Sequence, residues 1–333
     1  MNNTVIIILG PTAVGKTGVS ILLAKALKTE IISADSMQTY RHMDTGTAKP
    51  STAELKEVPH HMINILSPDE SFSAGLFRDN AVKLINGLHR KNKIPLIVGG
   101  TGLYIRTLTR GLFEGPSADW KLRDELMEAE REHGKGHLYE YLKNLDPEAA
   151  KKIEPNDARR VIRALEVSLK YKRISDYQKS ATKPEPYNFI KIGLTRERKE
   201  LYRLIDERVD KMMREGLQEE AERLLKLNPS ATALQSLGYK EIGSYIAGEV
   251  SLKEAIELIK KRTRNYAKRQ MTWFRKEPDI NWVDVTGIME AAKILEKMLN
   301  EVDPVRKLIT NKNGASGILM GTPNILCLHT PET

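Results

Sequence analysis

The chain of 333 residues has one cysteine, Cys327. A disulfide within the chain and a cysteine-rich zinc module each need more than that, so both are excluded, and the thiol usage fits a reducing compartment. Long apolar runs are missing too. No stretch approaches the roughly 18 apolar residues that mark a membrane span. Met1-Asn2-Asn3-Thr4 leads straight into an apolar strand with no basic leader, so neither a spanning helix nor a signal peptide is expected. There is no internal repeat. These absences leave a cytoplasmic enzyme as the default, and 40% hydrophobic with 29% charged residues is ordinary for a globular one. Acidic residues are the minority charge. The 53 Lys+Arg against 44 Asp+Glu give a net charge of +9, which favours a polyanionic partner without singling one out.

What is present begins at the apolar run Val5–Leu9, followed by Gly10-Pro11-Thr12-Ala13-Val14-Gly15-Lys16-Thr17. A strand running into a G-x-x-x-x-G-K-T loop is a device for gripping a diphosphate or triphosphate. Gly10 and Gly15 let successive backbone N–H groups turn inward, the following helix adds its N-terminal dipole, Lys16 supplies a point charge, and Thr17 can ligate Mg²⁺. One further absence bears on the cargo. The strand Ile94–Val98 ends in Gly99-Gly100, where a nucleotide-hydrolysing enzyme often carries its Mg²⁺-holding acid, and no motif supplies an obvious Gln or Asp to activate water. The loop can therefore hold a diphosphate without hydrolysing ATP. Asp35, at the end of the apolar stretch Glu30–Ser33, has three open roles: Mg²⁺ ligand, general base or helix cap.

Strand and helix patterns alternate from Val5 to about Gly111, which predicts an α/β fold with a P-loop doubly wound parallel sheet. The turn Gly99-Gly100-Thr101-Gly102 then falls at a carboxyl end of the sheet, so Thr101 is expected near Gly10–Thr17. Between residues 115 and 186 the strand signal disappears and charged helical patterns remain; Asn188–Leu194 reads as a strand again. The expected organisation is a discontinuous core of residues 1–114 and 187–300, an inserted all-helical subdomain at 115–186, C-terminal helices, and a flexible tail from 301 to 333. Ser251 with Glu254 caps a long helix whose segment Lys260–Lys276 holds eight Lys/Arg and no acid. Lys261, Arg264, Lys268 and Arg275 share one face, which is either a solvated face or a nucleic-acid contact.

Several of these segments, in order, resemble one family, the tRNA dimethylallyltransferases: Gly10–Thr17, Ile32–Tyr40, Asp44–Pro50, Val98–Tyr104, Asn156–Val167, Gly238-Tyr239-Lys240-Glu241 and Thr263–Arg275. The resemblance runs from residue 5 to about 285. It implies transfer of a five-carbon prenyl group from dimethylallyl diphosphate to N6 of the adenosine 3′ of the anticodon, in tRNAs reading codons that begin with U. By resemblance Asp35 is the general base, Thr101 orients the extruded adenine, and Arg208 joins the diphosphate loop. The implied tRNA-binding set is Asp35, Ser36, Met37, Gln38, Thr101, Arg123, Arg159, Arg160, Val161, Ile162, Arg163, Lys268, Arg269 and Arg275. Mg²⁺ at Thr17 is the implied cofactor, the anticodon stem-loop the partner, and a monomer the expected unit. A P-loop small-molecule kinase and a non-catalytic nucleotide-binding RNA module are the rival functions.

Overall fold

The run Val5–Leu9 contains no alternating polar residue, the pattern of a strand covered on both faces. A computed structural model of the chain, which describes residues 3–111, 115, 118–180 and 183–313, places it as β1 (Thr4–Leu9), buried at every position. Then follow α1 (Lys16–Ala26), β2 (Ile31–Ser33), α2 (Thr52–Glu57), β3 (His60–His61), α3 (Ala74–Arg90), β4 (Leu96–Gly99) and α4 (Gly102–Thr109). Ser73 starts α3 by accepting the Leu76 N–H at 3.1 Å, and Phe77, Ala81, Ile85 and Leu88 recur at helical spacing on its buried face.

The chain divides at Tyr104/Ile105 and again at Pro186/Tyr187 into two units. The middle unit is helical: α5 (Trp120–His133), α6 (His137–Leu145), α7 (Pro147–Ala150), α8 (Ala158–Lys170) and α9 (Ile174–Ser180). Its own core holds Leu126, Leu138, Leu142, Val161, Leu165 and Val167. Glu166, 1% exposed, ties that unit together by accepting the Asp119 N–H at 2.6 Å and the Arg123 guanidinium at 2.9 and 3.0 Å, with Arg163 as a third partner. Burial pushes the Glu166 carboxyl up, but these hydrogen bonds together hold it below the usual carboxylate range.

The first unit resumes at β5 (Asn188–Thr195), followed by α10 (Arg198–Arg214), α11 (Leu217–Leu225), α12 (Ala231–Leu234), α13 (Tyr239–Ile246), α14 (Leu252–Phe274), β6 (Ile280–Asp284), α15 (Ala291–Glu301) and α16 (Asp303–Asn313). All six strands pair in parallel, in the order β3-β2-β4-β1-β5-β6. The central register sets Leu9 beside Gly99 and Gly193, and Ser33 beside Val98. The carboxyl ends of β1, β2 and β4 therefore adjoin.

Two boundaries differ from expectation: the middle unit begins at Ile105 and not at residue 115, and a helix occupies the start of the expected tail. The tail expected from residue 301 starts as α16, whose Val305 and Ile309 join Val302, Ile294 and Met298 in the core under the sheet. The 302, 305 and 309 spacing is helical, but three apolar positions are too few to stand out in a polar segment. Residues 314–333, Cys327 among them, lie outside the described residues. Among those described, no helix is long and apolar enough to cross a membrane.

Candidate active site

The loop between β1 and α1 has no side-chain cap. Gly15 occupies the N-cap with φ 108°, a left-handed conformation that glycine enters without steric cost, and Ala13 is also left-handed at φ 64°. Such alternation turns consecutive N–H groups to one side, the geometry of an anion nest at a helix start. Lys16 folds back over this loop, donating to the carbonyls of Gly10 at 2.9 Å and Pro11 at 2.8 Å. Burial lowers its pKa to about 7, with Arg208 adding to the fall and Asp35 opposing it.

Arg208 comes from α10, and its Nη1 donates to Thr12 Oγ1 at 3.4 Å. Burial lowers its pKa as well, again against the pull of Asp35. Two cations and one carboxylate thus share a small volume, and a diphosphate would relieve the repulsion between the cations.

Asp35 follows β2 directly. Its Oδ1 accepts the Met37 N–H at 2.9 Å, so the turn-stabilising role does exist. That bond leaves the carboxylate on the cleft wall, in electrostatic reach of both cations. Thr101, from the turn after β4, accepts the Ser36 N–H through Oγ1 at 3.0 Å, and its own N–H donates to the Ala34 carbonyl at 3.2 Å. Residues 35–36 and 101, far apart in sequence, are thereby neighbours, although Thr101 is not itself among the residues that line the cleft.

Thr12, Lys16, Thr17 and Arg208 line a cleft of about 1050 Å³ together with Asp35, Ser36, Met37 and Gln38. Val14 does not. It is fully buried in the sheet core, where it anchors the loop. Gln38 is built into the wall: its Oε1 accepts from Ser33 Oγ at 3.1 Å and its Nε2 donates to the Ala48 carbonyl at 3.3 Å.

The basic run on α14 is partly spent inside the protein. Lys260 pairs with Asp210 at 2.7 Å, Arg262 with Glu241 at 2.6 Å and Arg264 with Asp206 at 2.5 Å. Arg264 therefore leaves the expected cationic face, while Lys261, Lys268, Arg269 and Arg275 stay exposed. Arg269 also lines the cleft. In the helical unit Arg159 and Arg160 are exposed, but Val161 and Ile162 are core residues, 2% and 8% exposed. Both belong to the core of the helical unit. Arg123 is committed to Glu166 and lies over the Trp120 ring at 5.1 Å.

Two residues were missed as contributors. Buried Glu220 on α11 accepts the N–H groups of Asp44, Thr45 and Gly46 at 3.1, 2.9 and 3.0 Å and the Tyr239 hydroxyl at 2.5 Å. It fixes the cleft-lining segment Asp44–Pro50. An acid in phase with Leu217, Ala221 and Leu224 on the buried stripe of a helix was the available signal. The second is Gln270, which links the P-loop to Gly100.

The sequence model of the IPP transferase family matches residues 38–277. A tRNA dimethylallyltransferase of Thermodesulfovibrio yellowstonii is 53% identical over 313 residues, spanning 92% of this chain and 99% of the relative. This chain belongs to the tRNA dimethylallyltransferase family. Another member, from Halothermothrix orenii, is 49% identical over 86% of this chain and 88% of its own length. Among solved structures, the full-length tRNA isopentenylpyrophosphate transferase of Bacillus halodurans is similar with a TM-score of 0.68 at 42% identity, covering 92% of this chain and 99% of that one. A eukaryotic dimethylallyltransferase acting on tRNA gives a TM-score of 0.77 at 29% identity, over 92% of this chain and 80% of its own. Between the prenyltransferase and kinase functions that a P-loop leaves open, membership of the dimethylallyltransferase family favours prenyl transfer.

Proposed function

We propose that the chain transfers a dimethylallyl group from dimethylallyl diphosphate to N6 of the adenosine 3′ of the anticodon, in tRNAs reading codons that begin with U. The observation that carries this reading is the placement of Asp35 in one cleft with the Lys16–Arg208 pair. Prenyl transfer needs a grip on a leaving diphosphate and, beside it, a group that accepts a proton; it needs no activated water.

In the reaction N6 attacks C1 of the donor, the C1–O bond breaks, and diphosphate departs with the bonding pair. The charge that grows on the departing oxygens is met by the loop N–H groups, Lys16 and Arg208. The adenine N6 lone pair is delocalised into the ring, so Asp35 assists by taking the N6 proton as the bond forms. Thr101 orients the base through its hydroxyl.

The donor set suits a hard cation shared with substrate. Thr17 offers a hydroxyl, the diphosphate offers oxygens, and the described residues hold no group of three or more His, Cys, Asp or Glu that could bind a metal unaided. Mg²⁺ held by Thr17 and the diphosphate would supply further neutralisation of the leaving group.

A stacked adenine cannot be reached in an anticodon loop, so the base is extruded into the cleft and its neighbours are held by their phosphates. Ser36, Met37 and Gln38 flank the target. Arg159, Arg160 and Arg163, with Lys268, Arg269 and Arg275, hold the RNA backbone. The chain acts as a monomer in the cytoplasm.

The test is incubation with Mg²⁺, dimethylallyl diphosphate and unmodified tRNA, with tRNA fragments read by mass. One prenyl unit on the adenosine 3′ of the anticodon is expected. Phosphate transfer from ATP to a small molecule, or binding without product, would contradict the proposal.

A further inference from the structure

Gln270 lies on the inner face of α14, 6% exposed, and both ends of its amide are engaged. Oε1 accepts the Thr12 N–H at 2.9 Å, and Nε2 donates to the Gly100 carbonyl at 2.9 Å. Thr12 belongs to the diphosphate loop; Gly100 opens the turn that carries Thr101. One side chain therefore links the diphosphate loop to the turn that carries Thr101.

An amide suits this task because it accepts at one atom and donates at the other. A carboxylate offers two acceptors, and a thioether neither of the bonds required. The surroundings are built for the approach. A Cβ on Gly100 would stand 2.3 Å from Gln270 Nε2, so glycine is needed there for α14 to come this close. One turn earlier on the helix, Tyr266 lies beside the side chains of Thr101 and Gln270, on the same face of α14. Gln270 is uncharged at every pH, so the link does not depend on the protonation of the groups around it.

We infer that Gln270 is a positioning residue for prenyl transfer, fixing the separation between the diphosphate loop and the Gly100–Thr101 turn so that donor C1 and acceptor N6 meet at reacting distance. The inference rests on the prenyl-transfer reading. It has a stated size, because a misplacement of about 1 Å costs on the order of 100-fold in rate.

Gln270→Met keeps the length and breaks both bonds; Gln270→Glu keeps the Thr12 bond and breaks the Gly100 bond. Each is measured beside the wild-type chain for steady-state kinetics with donor and tRNA, for inorganic pyrophosphate binding by calorimetry, and for thermal unfolding. Gln270→Met is expected to lower kcat by about 10- to 100-fold and weaken pyrophosphate binding about fivefold, with KM for tRNA unchanged. Gln270→Glu falls between it and wild type. Gly100→Ala should reproduce the kinetic defect, and combining it with Gln270→Met should add little, since both act on one contact. A variant that loses only thermal stability, with kcat and pyrophosphate affinity intact, overturns the inference and makes Gln270 a packing residue. If the wild-type chain forms no prenylated tRNA, the functional reading fails; pyrophosphate binding by the Gln270 variants then still decides whether the amide sets the loop.

Discussion

Lys16 has to carry charge when diphosphate arrives, yet the folded chain holds its pKa near about 7, below its ordinary 10.5, chiefly through burial. Between those values the unfolded chain binds a proton that the folded chain does not. Stability is therefore reduced below about pH 7, and the reduction is relieved as pH rises towards 10.5. A bound diphosphate reverses the balance by favouring the ammonium form. At pH about 8, pyrophosphate binding should take up a proton, seen in calorimetry as an enthalpy that changes with buffer ionisation heat, and Lys16→Arg should abolish the dependence because arginine is already charged. Lys16, Asp35 and Arg208 are legible in the sequence because strand, loop and turn chemistry constrain them locally or a family motif covers them. Gln270 and Glu220 are not. Gln270 depends on partners 170 and 258 positions away and Glu220 on backbone partners 174 to 176 away, which no local pattern records. Val161 and Ile162 lie in the core although the matched string includes them, since such a string covers both sides of a helix and only the inward period separates core from surface.

At the scale of elements, the strands β1, β4 and β5 and the helices α1, α3, α10 and α14 are legible because each has a strong apolar period or an identifiable cap. β6 is not legible. It is an edge strand with buried Val283 between exposed Trp282 and Asp284, and five residues of Ile-Asn-Trp-Val-Asp carry little alternation. α16 hides for a similar reason, its apolar face reduced to a few residues. Ile309, 5% exposed, belongs to the same core as Val283 and Ile294. Ile309→Ala should destabilise the protein by about 2–4 kcal/mol through lost burial and the cavity left behind, measured by denaturant unfolding, while kcat stays at wild type. An unchanged midpoint would return this segment to a frayed tail. In the helical unit, Glu166→Ala should cost about 1–3 kcal/mol in denaturant unfolding, because the Asp119 N–H and two partly exposed arginines lose their buried partner.

For the whole molecule, the excess of positive charge is a poor guide until the internal ion pairs are removed from the account. Of the eight cations in Lys260–Lys276, Lys260, Arg262 and Arg264 neutralise acids of α10 and α13, so the surface that remains for a polyanion is narrower than composition suggests. If Lys268 and Arg269 meet phosphates, tRNA affinity should fall steeply with salt. Changing both to Gln should reduce the slope of log K against log salt by about 1.5, and an unchanged slope would make them a solvated face. The central claim is that the loop at Gly10–Thr17 holds a leaving group while Asp35 takes a proton from the nucleophile. The most direct measurement is single-turnover quantitation of prenylated adenosine and released diphosphate with wild-type and Asp35→Ala protein, alongside tRNA binding. The account predicts one diphosphate per prenyl group for the wild type, and for Asp35→Ala both products slowed together by about 100-fold or more with tRNA still bound. Prenylation at the wild-type rate without the Asp35 carboxylate would contradict it.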